Sequence, residues 1–506
     1  MSKNIKLLSF LFFSLLFIQA IAQTQKPLEI QKPVTQQSPV SDLQKELDDI
    51  FNDPNFSNAE WGVVIQSLET GEYIYKKNEN KSFMPASNLK MFTTATALCN
   101  LGPNYKYTTK LITNGSIENN ILKGDLIIKG SGDPTFPKKF RNDSLHYLFS
   151  QWIDSLKNAG IQEINGNIIG DDNCFDDQPL GVGWSWDDET YWFSAQISGL
   201  SYNDNCIDLS ISPGEYVGSS AKILLNPNTN YVTIKNNIRT VPPDSATNID
   251  YFRKSGTNII NAFGTISLNA NTRIESISID NPTLYTVTVF KEMLEANGIK
   301  VNGEAKDIDE IKPRNEFTTI YQTLNTNTSL PLSEIIKIIN KKSHNLYAEQ
   351  VLKTIGKELG GSGTVSKAIE IEKRFLSNLG IDPEKIMIVD GSGLSRLNLV
   401  TPLQVTTLLT YMYRHKYWKE FYNSLPIAGV DGSLENRMRN SKAANNVHAK
   451  TGYINYVRSL SGYVTSKDGE MFVFSMIVNH YTVPTSLANN IQDLVCIRLA
   501  NFSRKQ

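Results

Sequence analysis

Cysteine is scarce in this chain: Cys99, Cys174, Cys206 and Cys496 are the only four in 506 residues. So few over such a length exclude a disulfide framework. Cys174 and Cys206 could pair in an oxidising compartment. Cys99 falls at core spacing on a helical stretch and reads as buried. Histidine is scarce too: the five residues show no metal-ligand spacing, so neither a metal nor a cofactor is expected. Neither sign of charge dominates, with 50 basic residues against 51 acidic. That balance excludes nucleic acid as a partner, because binding it needs a basic face. After the first residues no apolar run is long enough to cross a bilayer. Internal repeats are absent.

What is present begins with export. Lys3 and Lys6 precede the apolar run 7–18, broken only by Ser9 and Ser14. Ala20-Ile21-Ala22 then fits a small-x-small cleavage site, so residues 1–22 read as a signal peptide. No cysteine stands at that site, which argues against a lipid anchor. The expectation is an exported, soluble protein without a transmembrane anchor once the signal is cleaved.

The remaining length allows two or three domains. Residues 23–39 read as a polar leader and 41–51 as a helix. Residues 61–68 and 73–75 read as strands joined by a Gly turn, and a helix begins at Ser87. From about 111 to 313 strand-like runs dominate: 121–128, 161–169, 207–211, 231–238 and 259–266. Helices are expected at 289–296, 330–339, 345–359 and 401–413. The chain closes with strands 446–451, 458–465 and 470–478 and a helix over 486–502. Two early and three late strands covered by helices make an α+β domain with a five-stranded antiparallel sheet. Its parts are expected at 23–114 and 313–506, separated by a β-rich insertion at 115–312.

Three short motifs carry chemistry. Ser87 and Lys90 stand three apart at a helix start and therefore share a face. A buried Lys of lowered pKa can act as base for a Ser nucleophile, and helix-start N–H groups can hold an oxyanion. Ser343-His344-Asn345 lies at a helix junction, where a hydroxyl can shuttle a proton and an amide can both donate and accept. Lys450-Thr451-Gly452 lies on a strand and offers a cation, a hydroxyl and clearance. Each motif alone is common by chance. Their order, and the elements that carry them, are not.

The set resembles that of penicillin-recognising serine enzymes. One branch is especially similar: the D-alanyl-D-alanine carboxypeptidase/endopeptidase family, the class C low-molecular-mass penicillin-binding proteins. The similarity includes Gly124-Asp125-Leu126-Ile127-Ile128-Lys129-Gly130-Ser131-Gly132-Asp133-Pro134-Thr135 and Gly183-Trp184-Ser185-Trp186-Asp187-Asp188. It also includes Asp390-Gly391-Ser392-Gly393-Leu394-Ser395-Arg396 and the stretch from Leu425-Pro426-Ile427 to Ser433-Leu434. That family carries large extra domains between its first two catalytic motifs.

The resemblance implies Ser87 as acylated nucleophile and Lys90 as general base, working with Ser343. Asn345 would hold Lys90 and the substrate amide. Lys450 and Thr451 would bind the substrate carboxylate beside Gly452. The N–H groups of Ser87 and Tyr453 would form the oxyanion hole, and Arg396 and Asn455 would contact the substrate side chain. The chain departs from the family pattern at His344, where Asp or Asn is familiar, and at Tyr453, where a smaller residue is usual. The implied activity is D-Ala-D-Ala carboxypeptidase, with D,D-endopeptidase as a further activity, in the periplasm. Peptidoglycan stem peptides are the implied substrates and β-lactam antibiotics the implied covalent inhibitors. Two alternatives are a β-lactamase or esterase on the same core and a non-catalytic peptidoglycan-binding protein. The long insertion argues against the first and the complete motifs against the second.

Overall fold

The structure, a computed structural model, describes residues 38–136, 146–311 and 321–505. The expected signal peptide, most of the leader and the expected boundary at 313 lie outside the described residues.

The core is one antiparallel sheet. Its strands are β1 (Glu60–Ser67), β2 (Tyr73–Lys77), β3 (His448–Ile454), β4 (Val457–Thr465) and β5 (Met471–Asn479), in the order β3-β4-β5-β1-β2. The early hairpin joins the late strands where β1 pairs with β5, Trp61 opposite Val478 and Ile65 opposite Phe474. Strand side chains alternate between faces, so both faces of β5 carry apolar residues. Phe472, Phe474, Met476 and Val478 pack on one side and Val473 and Ile477 on the other.

The first side is covered by α1 (Pro39–Phe51) and α8 (Thr485–Asn501). Ser38 caps α1, its hydroxyl accepting from Ser41 N at 3.2 Å. Leu43, Leu47 and Phe51 then repeat every four residues and bury one stripe. The other side carries α2 (Lys90–Leu101), α3 (Leu332–Lys342), α4 (Asn345–Gly360), α5 (Val365–Asn378), α6 (Pro402–Arg414) and α7 (Trp418–Ser424). The helices α5 and α7 were not anticipated from the sequence.

Between α2 and α3 the described residues build four further sheets, two of three strands, one of four and one of five. Runs 121–128 and 161–169 are each divided between two of them. Gly124 breaks the first at φ 152°, where a Cβ would stand 2.5 Å from Gly115 Cα. Gly166 sits in the second, where a Cβ would stand 2.2 Å from Gly124 O. Helix Tyr147–Asn158 was also missed, although Phe149, Trp152, Ile153 and Leu156 mark its buried face. It packs with Tyr202, Tyr285 and Phe290 in a separate apolar core. Strands Thr108–Thr113 and Gln322–Thr328 lie outside 115–312, yet they pair with each other in the inserted five-stranded sheet. All four cysteines are free, so Cys174 and Cys206 are not bonded, and Cys99 is only partly buried.

Candidate active site

Ser87 does not open the α-helix itself. It lies in a 3-10 turn, Ala86–Leu89, and α2 begins at Lys90. Ala86 adopts φ 47°, a left-handed conformation that costs a non-glycine residue about 1 kcal/mol. The turn is pinned to the sheet. Asn88 Nδ2 donates to Lys450 O at 2.9 Å and Ser459 Oγ to Pro85 O at 2.7 Å. Gly452 makes this approach feasible. A Cβ there would stand 2.1 Å from Ser459 Oγ, 2.8 Å from Pro85 O and 3.0 Å from Ser87 N. The clearance expected at Gly452 is thus used by the protein's own turn.

Lys90 is fully buried. Its Nζ lies 3.0 Å from Ser87 Oγ, 2.6 Å from Asn345 Oδ1 and 2.7 Å from Ser392 O. A neutral amine has two N–H groups and one lone pair. Two acceptors take the N–H groups here, and the lone pair is left for the Ser87 hydroxyl proton. Burial lowers the Lys90 pKa to about 7, while Glu349 and Asp390 act to raise it.

The second motif straddles the junction of α3 and α4. Ser343 is left-handed at φ 56° and accepts from Lys450 Nζ at 2.9 Å. Its hydroxyl is therefore held by the third motif and not by Lys90. Asn345 donates from Nδ2 to Phe193 O at 2.7 Å, which orients its Oδ1 toward Lys90. His344 is turned away from the cleft. Its ring is buried against Tyr347, 4.0 Å between centroids, and its Nε2 lies 3.4 Å from Asp204 Oδ2.

Lys450 is buried and also donates to Thr451 O at 2.8 Å. Burial, then Lys90 and Arg458, push its pKa well below the usual lysine value. Thr451 Oγ1 lies 2.6 Å from Ser433 Oγ. Tyr453 is half exposed at the edge, and its hydroxyl donates to Asn455 Oδ1 at 3.3 Å. Arg396 Nη2 donates to Asn455 O at 3.1 Å.

Ser87, Ser343, Asn345, Tyr453, Arg396 and Asn455 line one cleft of about 460 Å³. Asp187, Asp188, Trp192 and Phe193 of the inserted region form its other wall. Lys90, Lys450, Thr451 and Gly452 lie behind the cleft surface. The sequence reading missed Phe193 and Glu349 and the roles of Ser433 and Asp390. A signal existed for Glu349: an acid four residues after Asn345, and so on the same face of the helix. Among the described residues no group of three or more His, Cys, Asp or Glu could hold a metal ion.

A helix-covered antiparallel sheet, with a Ser–Lys pair at the foot of a helix and a second Lys on the edge strand, defines the penicillin-binding and β-lactamase-like class. Within it, the profile of the D-Ala-D-Ala carboxypeptidase 3 (S13) family matches residues 43–501, and the chain belongs to that family. It is 32% identical over 482 residues to the D-alanyl-D-alanine carboxypeptidase of Actinomadura sp. (strain R39), covering 92% of this chain and 86% of that one. It is 27% identical to the D-alanyl-D-alanine carboxypeptidase DacB of Haemophilus influenzae, with 88% of each covered. The crystal structure of penicillin binding protein 4 (dacB) from Haemophilus influenzae superposes with a TM-score of 0.77 at 25% identity, covering 92% of this chain and 99% of that one.

Proposed function

We propose that this chain is a serine D-Ala-D-Ala carboxypeptidase that also opens D,D-cross-links in peptidoglycan. The observation that carries the reading is the buried Lys90 amine, with both N–H groups occupied and Ser87 Oγ at 3.0 Å. Lys90 takes the Ser87 proton as Oγ attacks the carbonyl of the penultimate D-Ala. The backbone N–H groups of Ser87 and Tyr453 stabilise the oxyanion. The proton returns to the leaving amine through Ser343, and the D-Ala leaves with its C–N bond broken. Water then attacks the ester, giving up its proton to regenerate Ser87 and the trimmed peptide.

Lys450 and Thr451 hold the substrate carboxylate. Asn345 holds the substrate amide, and Arg396 and Asn455 meet the substrate side chain. β-Lactams acylate the same Ser87. The enzyme works in the periplasm after loss of residues 1–22, and no helix among the described residues is long and apolar enough to cross a membrane. The inserted part is taken as 108–328, from its first strand to its last.

The test is labelling of full-length protein with a fluorescent penicillin, followed by peptide mapping. The label should map to Ser87, and Ser87→Ala should abolish both labelling and peptide hydrolysis. Covalent labelling that persists in the folded variant would remove Ser87 from the mechanism.

A further inference from the structure

Beneath Lys90 lie three acids that the reaction above leaves unused. Glu349 on α4, Asp390 in the loop before Arg396 and Glu372 on α5 are all fully buried. Burying a carboxyl is costly unless donors surround it. Glu349 meets that need with a backbone clamp, Oε2 accepting from Gly391 N at 2.9 Å and Oε1 from Ser392 N at 2.7 Å. The same two residues face α2 with their carbonyls. Ser392 O accepts from Lys90 Nζ at 2.7 Å and Gly391 O from Thr93 Oγ1 at 2.9 Å. One acid therefore fixes the carbonyl that fixes the base.

Asp390 holds the rest of the loop. It accepts from Gly393 N at 2.8 Å, Ser395 N at 2.7 Å, Asn398 Nδ2 at 2.8 Å and Trp184 Nε1 at 3.0 Å. All these donors are neutral and favour the anion, but burial outweighs them and raises the Asp390 pKa, and burial and then Asp390 raise that of Glu349 to about 7. Glu372 differs. Neither of its oxygens has a hydrogen-bond partner among the described residues, and burial with its two acidic neighbours pushes its pKa up to about 8. It is therefore protonated at neutral pH.

We propose that Glu349 and Asp390 form a buried acidic floor that positions Lys90 and sets the pH at which it acts as base. The proposal rests on Lys90 being the base for Ser87. Glu349 and Asp390 are positioning residues: they act through the Ser392 carbonyl and through space. Other polar and charged groups stand nearby. Lys450 of β3 lies on the cleft side, with Arg458 of β4 behind it. Lys341 of α3 is paired with Asp431, and Lys342 stands on the cleft rim. The helices α3 and α7 meet α2 through the neutral Asn340, Ser424 and Thr94. Acids therefore lie on one side of Lys90 and basic groups on the other.

The experiment is the second-order rate of acylation of the full chain by a β-lactam, followed from pH 5.5 to 9.5. Lys90 must be neutral to act, so the rate has an acid limb. Glu349→Gln keeps the shape but replaces the titratable carboxyl with a neutral amide. Its limb should move to lower pH by about one unit or more, the size of shift a nearby opposite charge produces. Glu349→Asp keeps the charge and shortens the clamp, so its plateau should fall while its limb stays. Glu372→Gln replaces a neutral group and should leave the limb in place. A Glu349→Gln limb at the wild-type pH would overturn the proposal, and so would an equal shift in Glu372→Gln. If neither Glu349 variant folds, Trp184→Phe reads the same floor. It removes one donor from Asp390, weakens the anion and should move the limb the same way; an unmoved limb overturns the proposal. Wild type that does not acylate, or a labelled Ser87→Ala, would bring down the Ser87–Lys90 reading and the floor with it. Normal wild-type acylation with an unmoved limb brings down the floor alone.

Discussion

Lys90 is the residue whose environment matters most, because a buried amine is useful only if it can lose its proton. Burial lowers its pKa to about 7, with Glu349 and Asp390 opposing the fall. The sign follows directly. Below that pH the lone pair is occupied, and above it the pair is free. Acylation should rise with pH, reach half its plateau near 7 and flatten above, as measured by penicillin labelling at a series of pH values. Lys90→Arg keeps the charge but cannot be deprotonated, so acylation should fall by about 10²–10⁴-fold. A near-normal rate in that variant would make Lys90 purely electrostatic. Lys450 poses a different question, because it touches Ser343 and also faces the substrate carboxylate in the proposed mechanism. A charged hydrogen bond is worth about 1.5–3 kcal/mol, or about 10- to 150-fold in rate. Lys450→Ala should lower kcat/KM by that factor on both D-Ala-D-Ala and cross-linked substrates. Amidating the substrate carboxylate should hurt the wild type and hurt the variant much less. Losses that simply multiply would place Lys450 on proton transfer through Ser343 instead. Ser87, Lys90, Ser343, Asn345, Lys450 and Thr451 were legible because each group is contiguous along the chain. The contacts of Phe193 O, Ser433 and Glu349 were not, because each joins segments far apart in sequence.

At the scale of elements, the site depends on a helix foot meeting a strand edge. The helical spacing of 87–97 was legible, but the 3-10 turn at Ala86–Leu89 was not. Propensity carries no sign that Ala86 would be forced to φ 47°, because tertiary contacts impose that conformation. Gly452 supplies the matching space on β3. In Gly452→Ala the new methyl would meet Ser459 Oγ at 2.1 Å and Pro85 O at 2.8 Å. Overpacking of this kind costs about 1–3 kcal/mol, so a denaturant titration should show that loss. Acylation should fall with it, because the turn carrying Ser87 must retreat. An unchanged stability would mean that the turn and strand separate freely. The strand runs 121–128 and 161–169 show the opposite error. Their apolar patterns were read as continuous, but stacked glycines at 115, 124 and 166 divide them between sheets.

Across the whole molecule, the inserted layers are wall as well as neighbour. The early and late strands meet in one sheet, which suggests that the core could stand alone. The structure argues otherwise for the site: Phe193 O orients the Asn345 amide, and Trp184 Nε1 binds Asp390. Lys353 on α4 also pairs with Asp176 at 2.6 Å. Replacing 108–328 with a short linker should therefore lower penicillin acylation by about tenfold or more, even in protein that circular dichroism shows to be folded. Acylation at the full rate would make the insertion a passenger. The sequence by itself determined the order of chemical groups, the α+β core and the interruption of that core. Local spacing and apolar periodicity carry that information, and both are written along the chain. Only the tertiary structure decided which carbonyl orients Asn345, which acids lie under Lys90 and which turn fills the space at Gly452. Those are choices among distant partners, made by packing and burial, and no local pattern encodes them.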